Sequence, residues 1–99
     1  MIIVTGHAIA GEGTEDEVGR LALAHVLRSR QEPGCLSHEV SRDLENPRRL
    51  LFVERWADMA ALQAHFQVPA SRAFARDMER LTEGNLAMTI HRVDATRAS

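Results

Sequence analysis

Five histidines are the side chains of this 99-residue chain best suited to proton transfer near neutral pH. The chain contains no tyrosine, and all 12 of its basic side chains are arginines. Neither a phenol nor a lysine amine can therefore serve as acid, base or Schiff-base nucleophile. Chemistry by this chain has to draw on histidines, carboxylates, hydroxyls, arginines or the thiol of the single cysteine, Cys35.

The histidines do not occur in the spacing of a local metal-binding motif. The sequence contains no HxH, HExxH or CxxC pattern, so we expect no metal site. The GEG turn at residues 11–13 precedes an acidic helix start, which would repel phosphate. A turn that leads into a helix is the simpler interpretation of this segment.

Charge and hydropathy exclude several other classes of protein. The net charge is −2 and the arginines are scattered, which gives no electrostatic footprint for nucleic acid or an anionic membrane. No apolar run reaches the roughly 20 residues that span a bilayer, and the first residues do not resemble a signal peptide. A single cysteine suits a reducing compartment, so we expect a cytoplasmic protein.

Three histidines lie in segments expected to face a protein interior. His25 falls within the apolar arc of the first predicted helix, where it is either a hydrogen-bonded buried residue or a base that lines a pocket. His38 lies on the second predicted strand, and one residue of hairpin register decides which side of the sheet it faces. His65 lies next to Phe66, at the border of the apolar face of the second helical region. Each of them, taken alone, is more simply a structural residue.

The segment LLFVERW, residues 50–56, is the most apolar predicted strand, yet it ends with Glu54, Arg55 and the only tryptophan. Alternation along a strand places four of its residues on one face: Leu50, Phe52, Glu54 and Trp56. If helices cover that face, it offers an apolar slot with one carboxylate and one indole N–H, which suits a flat aromatic ligand. Alternatively, Glu54 and Arg55 are exposed charges at the end of the strand.

The elements that carry these residues follow the order β-α-β-β-α-β. Strands are predicted over about residues 1–9, 35–43, 48–56 and 86–93. The first helix is predicted from Thr14, in capping-box spacing with Glu17, to about Arg30. Its apolar arc comprises Val18, Leu21, Leu23, Val26 and Leu27. Asp58 is predicted to cap a second helical region over residues 59–81, which is interrupted at Val68-Pro69. Residues 83–85 are predicted to form a turn before the last strand.

This order predicts an α+β, ferredoxin-like fold: an antiparallel sheet with strands 1 and 3 central and the helices on one face. We expect a single domain over residues 1–94 and a loose tail over residues 95–99. Strands 1 and 3 carry apolar residues on both faces, so the uncovered face would be an exposed apolar patch. We therefore predict a homodimer that pairs the two sheets, with an edge-to-edge dimer or a monomer as alternatives.

The stretch EPGCLSHEVSRDLENPRRLLFVERWADMAALQAHFQVPASRAF, residues 32–74, resembles the antibiotic biosynthesis monooxygenase family, especially its quinol monooxygenase-like members. The shared features are Pro-Gly-Cys before strand 2, E-x-W at the end of strand 3, and D-x-x-A-L-x-x-H-F-x-x-P across the second helical region. The resemblance implies a dimeric α+β barrel. In enzyme members it also implies an oxygenase that acts on hydroquinones or anthrone-type aromatics without metal, flavin or haem.

The resemblance also assigns family positions to residues of this chain. Trp56 matches a tryptophan that lines the pocket of anthrone-oxidising members. Those members have an asparagine four positions before the tryptophan, and this chain has Phe52 at that position. The family tyrosine of the second helix is Leu62, and an arginine of the last helix falls near Arg76. The proximal histidine of haem-degrading relatives has no counterpart in residues 74–78. The expected substrate-binding residues are Trp56, Phe52, Glu54, Leu62, Phe66, Phe74 and Arg76.

These observations together predict a cofactor-independent monooxygenase that oxidises a small aromatic hydroquinone or related phenol with O₂. The candidate general bases, in order of preference, are His38, His25 and His65. The alternatives are a small-molecule-binding homodimer without activity, which the missing family tyrosine and asparagine favour, and a cofactor-free isomerase or metabolite-degrading enzyme. The expected partners are a second copy of the chain and the aromatic substrate, with no nucleic acid or membrane.

Overall fold

Residues 1–94, which the computed structural model describes, form an antiparallel sheet and three helices. The elements are β1 (Ile2–Ala10), α1 (Glu15–Ser29), β2 (Cys35–Arg42), β3 (Arg49–Trp56), α2 (Met59–Gln67), α3 (Pro69–Leu81) and β4 (Thr82–Arg92). The strand order is β2-β3-β1-β4, which confirms the predicted ferredoxin-like α+β fold with β1 and β3 central. The proposed tail lies outside the described residues. No helix within them is long and apolar enough to cross a membrane.

The sheet buries one face against the helices in two apolar clusters. The larger joins α1 and α3 to β1 and β3, and it comprises Ala8, Ala10, Val18, Ala22, Val26, Leu50, Phe52, Phe74, Met78 and Leu81. The smaller cluster lies under α2 and comprises Ile2, Val4, Trp56 and Leu62. The residues that period-2 alternation grouped on one face of β3 are thus those that the helices cover.

The opposite face of the sheet is only partly shielded within one chain. Ile3 and Ile9 on β1, and Leu51 and Val53 on β3, are partly exposed there. Each central strand thus presents apolar side chains on both faces, as its sequence predicted. This open face is the surface on which the predicted dimer depends.

The structure contains one of the two predicted helix caps and lacks the other. The carboxylate of Asp58 accepts a hydrogen bond from the Ala61 N–H at 2.8 Å, as predicted for an N-cap. Thr14 makes no such bond, so the predicted capping box is wrong. Its hydroxyl instead makes hydrogen bonds to the carbonyl oxygens of Gly11 and Leu81, at 2.8 and 2.9 Å. These contacts attach the start of α1 to the end of α3.

The buried stripe of α1 is narrower than the predicted apolar arc. Leu23 and Leu27 are 50% and 49% exposed, so their assignment to the buried arc is wrong. The buried positions of the helix are Val18, Ala22, His25, Val26 and Ser29. Small side chains at positions 22 and 29 let the helix approach its neighbours closely, which leaves the two leucines on the outer surface.

The last strand begins earlier than predicted. β4 starts at Thr82, directly after α3, so the predicted turn over residues 83–85 is part of the strand. Gly84 has a φ of +66°, and the pairing of β4 with β1 shifts between His7 and Ile9. An irregularity in the ladder with a glycine at positive φ is typical of a β-bulge. The bulge accommodates the residues that the sequence assigned to a turn.

Candidate functional site

Three buried histidines from three different elements meet between the two apolar clusters. His25 comes from α1, His38 from β2 and His65 from α2. One ring nitrogen of each lies within 4.8 Å of those of the other two, and their ring centroids are 5.2 to 5.8 Å apart. We call these three residues the histidine cluster. The search for local spacing motifs missed it because the chain segments between the three are long.

A bulge in β2 decides the orientation of His38. Cys35 pairs with Trp56, but Ser37 pairs with Arg55, so Leu36 is an extra residue in β2. The inserted residue moves His38 into register with Glu54, on the face that the helices cover. Without it, His38 would pair with the next residue along β3 and face the open side. The sequence left this choice open.

His25 is held by a stacking contact and by a hydrogen bond. Its ring lies parallel to that of Phe74, with centroids 4.0 Å apart and an interplanar angle of 6°. Arg28, one turn further along α1, donates a hydrogen bond to Nδ1 of His25 at 2.8 Å and another to the Ser71 hydroxyl at 2.9 Å. Because a guanidinium can only donate, this contact places the proton of the neutral imidazole on Nε2.

His65 forms a dyad with a carboxylate that precedes β2. Its Nδ1 lies 2.8 Å from Oε1 of Glu32, so the ring donates its Nδ1–H to the carboxylate. The other ring nitrogen, Nε2, lies 3.9 Å from Glu54. The ring centroids of His65 and Trp56 are 4.7 Å apart, which connects the dyad to the smaller apolar cluster. A carboxylate thus fixes both the tautomer and the orientation of His65.

Glu54 is a buried carboxyl group that faces the histidine cluster. Its Oε1 accepts a hydrogen bond from the indole N–H of Trp56 at 2.9 Å, and its Oε2 lies 3.7 Å from Nε2 of His38. Burial raises the pKa of Glu54, while the indole hydrogen bond acts in the opposite direction. The strand alternation therefore brings Glu54 and Trp56 together on the covered face, as the sequence suggested.

Two members of the cluster are strongly disfavoured as cations. Burial, followed by the neighbouring charges, lowers the pKa of His25 to about 3 and that of His38 to about 4. Both imidazoles are therefore neutral at physiological pH. Neither ring nitrogen of His38 has a hydrogen-bond partner among the described residues, although the side chain is only 1% exposed. Such an unpaired buried polar group is costly and calls for a ligand.

A cavity of about 60 Å³ lies against the histidine cluster. Its polar wall contains the three histidines, Glu54 and Ser71. The rest of the wall is mostly apolar and is formed by Gly6, Phe52, Phe66, Phe74, Ala75, Leu86 and Met88. Met88 is 43% exposed, so the cavity reaches the surface beside β4. An apolar pocket with a few convergent polar groups is the usual form of a small-molecule site.

The structure brings together most of the site residues proposed from the sequence. The three histidines, Phe52, Glu54, Phe66 and Phe74 all line the cavity. Trp56 and Leu62 are fully buried and lie behind this wall, in the smaller apolar cluster. Trp56 reaches the cavity through two of its lining residues, by its hydrogen bond to Glu54 and by its ring contact with His65. Arg76 is exposed on α3 and is absent from the cavity wall.

Three polar residues of the site were missed by the sequence reasoning. Arg28 lies three residues after His25 on the same helix, a spacing that indicates contact between side chains. Glu32 follows the predicted end of the first helix, and no local pattern pairs it with His65, which lies 33 residues away. Ser71 contacts the site through Arg28, and no local pattern singles it out.

Comparisons with known proteins agree with this architecture. A family model described as antibiotic biosynthesis monooxygenase matches residues 1–77. An uncharacterised protein from Synechocystis is 29% identical over 96 residues, which cover 97% of this chain. The chain spans 65% of the length of that curated relative.

Solved structures match over nearly the whole chain. A Deinococcus radiodurans protein, described provisionally as an antibiotic biosynthesis monooxygenase, has a TM-score of 0.93 at 25% identity, covering 100% of this chain and 98% of that one. A Pseudomonas aeruginosa protein has a TM-score of 0.85 at 26% identity, covering 95% of this chain and 94% of that one.

Proposed function

Because the chain belongs to the antibiotic biosynthesis monooxygenase family, we propose that it oxidises a small aromatic hydroquinone with O₂ in the cavity beside the histidine cluster. The observation that carries this proposal is the dyad of Glu32 and His65, whose histidine lines the cavity. A substrate hydroxyl that enters the cavity meets the imidazole of His65, with the Glu32 carboxylate behind it.

The size of the cavity favours a substrate with one aromatic ring. A buried cavity of about 150 Å³ is known to enclose benzene, whereas this one is about 60 Å³. The cavity is therefore too small to enclose a whole ring, and a single-ring substrate would place its hydroxyl end inside and the rest in the opening near Met88. The flat faces of Phe52 and Phe74 offer contacts for such a ring. A three-ring anthrone would require the walls to move apart.

The proposed reaction begins with proton transfer to His65. The imidazole accepts the phenolic proton, and the Glu32 carboxylate stabilises the imidazolium that forms. The electron-rich phenolate then reduces O₂, so the electrons come from the substrate itself. One oxygen atom replaces hydrogen at a ring carbon and the other leaves as water. Hydroquinone and O₂ thus yield hydroxyquinone and water, in which all atoms and electrons balance.

The geometry changes the order of preference among the three candidate bases. His25 and His38 are the weaker candidates because burial lowers their pKa values to about 3 and about 4. Neither has a carboxylate within hydrogen-bonding distance, since Glu54 lies 3.7 Å from His38. His65 has such a partner at 2.8 Å. We therefore assign the base to His65 and the recognition of the substrate oxygens to the other two histidines.

Consumption of dissolved oxygen tests the proposal directly. Purified protein, kept in a chelator, is mixed with hydroquinones of one, two and three rings, and heat-denatured protein corrects for autoxidation. We expect uptake above the control that is fastest with single-ring substrates, with hydroxyquinone as the product. No uptake with any substrate, together with measurable binding of one of them, would favour the binding homodimer instead. Turnover under nitrogen would favour an isomerase.

A further inference from the structure

The geometry points to the histidine cluster as a binding site for one divalent transition-metal ion of the zinc type. Three buried imidazoles, one each from α1, β2 and α2, bring one ring nitrogen each within 4.8 Å of the other two. Imidazole ligands suit zinc, cobalt, nickel and copper, whereas magnesium and calcium prefer oxygen. Three protein ligands and an accessible fourth position are the arrangement of catalytic zinc sites. The cavity beside the cluster supplies that fourth position.

The distances are close to those that coordination requires. A zinc–nitrogen bond of about 2.0–2.1 Å places two tetrahedral ligand atoms about 3.3 Å apart. The three nitrogens of the cluster lie within 4.8 Å of one another, so each pair has to approach by up to about 1.5 Å for coordination.

His38 supplies an independent reason to expect a ligand at this point. Both of its ring nitrogens are buried without a hydrogen-bond partner among the described residues. A metal ion would satisfy one of them. The Glu54 carboxyl group, 3.7 Å from His38 and 3.9 Å from His65, supplies a nearby acidic group for the cation.

His65 is already oriented as a metal ligand. Its Nδ1–H is donated to Glu32, which leaves the lone pair of Nε2 free and directed towards Glu54. A carboxylate that holds the outer N–H of a ligating histidine is a regular feature of zinc sites. The same Nε2 accepts the proton in the proposed function, so a bound ion and that proton transfer exclude each other, and the oxygenase is assayed in a chelator.

His25 requires one change before it can bind through Nε2. Arg28 now donates to its Nδ1, which keeps the proton on Nε2. Metal binding moves that proton to Nδ1 and releases Arg28 from the ring. Arg28 keeps its second partner, the hydroxyl of Ser71. The change is therefore confined to one contact.

Titration of the metal-free protein with Co²⁺ and with Zn²⁺ tests this inference without any measurement of activity. Visible absorption reports the geometry around Co²⁺, and calorimetry gives the stoichiometry and affinity for Zn²⁺. We expect one ion per chain, a tetrahedral cobalt spectrum and no binding of Mg²⁺. The His38→Gln and His65→Gln variants should each lose at least about 10-fold in affinity. Glu32→Gln, which keeps every ligand, should lose about 10–100-fold.

His91→Gln is the matched control because His91 is an exposed histidine on β4, outside the cluster. It should bind both ions with unchanged affinity, and circular dichroism should show that each variant is folded. Absence of binding to the wild-type protein would overturn the inference. So would unchanged affinity in both His38→Gln and His65→Gln, or loss of binding in His91→Gln. Neither outcome would bear on the proposed oxygenase, which is assayed in a chelator.

Discussion

At the scale of single residues, the contact between Glu54 and Trp56 links the cavity to the core. The indole N–H donates to the buried carboxyl at 2.9 Å, and Trp56 is fully buried. Truncation of Trp56 to alanine would cost about 3–5 kcal/mol in packing alone, which makes that variant a poor test of the site. Its role is best measured as an interaction with Glu54.

A double-mutant cycle isolates this hydrogen bond from the packing of the indole. We predict that Trp56→Phe and Glu54→Leu couple by about 1–3 kcal/mol in the free energy of unfolding, because either substitution alone leaves one buried partner of the hydrogen bond unpaired. Urea denaturation of the wild type, the two single variants and the double variant supplies the four values. Free energies that add within about 0.3 kcal/mol would contradict the prediction.

The neutral histidines predict how stability depends on pH in the metal-free protein. Burial lowers the pKa values of His25 and His38 to about 3 and about 4, so between those values and 6.5 the unfolded chain binds more protons than the folded one. Stability should therefore be greatest above pH 6.5 and fall as the pH drops. We expect a loss on the order of 1 kcal/mol per pH unit for each histidine between pH 6.5 and 5.

Glu54 has the opposite effect on the pH dependence of stability. Its raised pKa means that the folded protein binds this proton more tightly than the unfolded chain, so its contribution to stability increases as the pH falls. Urea denaturation at several pH values measures the net slope, and His38→Gln should make it shallower. A stability that is constant from pH 7 to pH 5 would show that these histidines are not held neutral by the fold.

At the scale of the elements, the loop before β2 approaches α2 so closely that only glycine fits. Gly34 has a φ of +83°, and a Cβ built there would lie 2.5 Å from the Cβ of Ala61. Gly13 has nearly the same φ, +80°, but a Cβ there would meet nothing within 4 Å. A comparison of substitutions at these two glycines therefore separates the cost of the left-handed backbone from the cost of the close approach to Ala61.

We predict that Gly13→Ala costs about 1–2 kcal/mol, the penalty for an alanine in the left-handed region. Gly34→Ala should cost about 1–3 kcal/mol more, because it also forces α2 away from the loop. The same shift should separate Glu32 from His65. Chemical denaturation measures both costs, and equal values for the two variants would contradict the packing account.

The elements also show where sequence reasoning succeeds and where it stops. The order of the strands, the interruption at Pro69 and the set of residues that share one face of β3 follow from local patterns of apolar residues, caps and proline. The face of the sheet on which His38 lies does not follow from these patterns, because it depends on the extra residue Leu36 in β2. A bulge of this kind depends on the pairing of two strands, and neither strand encodes it alone.

The site itself was predictable only in part for a related reason. Period-2 alternation correctly places Phe52 and Glu54 on one face of β3, but it does not show that the helices cover that face. The meeting of His25 with His65 depends on how α1 and α2 are arranged over the sheet, which is a property of the tertiary structure. Arg76 matched a family position, but its place on the exposed face of α3 follows from the helical period.

At the scale of the whole molecule, the open face of the sheet leads us to propose a homodimer. Ile3, Ile9, Leu51 and Val53 are partly exposed on this face, and a second copy of the chain would cover them. The cytoplasmic location stays a prediction from the composition.

We predict that the wild-type protein has the mass of a dimer in solution and that Val53→Arg shifts it to a monomer, because burial between the two sheets would remove the charged guanidinium from water. Light scattering coupled to gel filtration measures the mass. Leu23→Arg, on the 50% exposed outer face of α1, is the matched control and should leave the mass unchanged. A wild-type monomer, or an unchanged dimer in Val53→Arg, would contradict the proposed interface.

The measurement that tests the central claim most directly is hydroquinone-dependent oxygen uptake by His65→Gln, in the presence of a chelator. Loss of a general base typically lowers the rate by about 10²–10⁴-fold, and we predict a loss in that range. His91→Gln should retain the wild-type rate. A His65→Gln variant that is folded and consumes oxygen at the wild-type rate would contradict the assignment of the base.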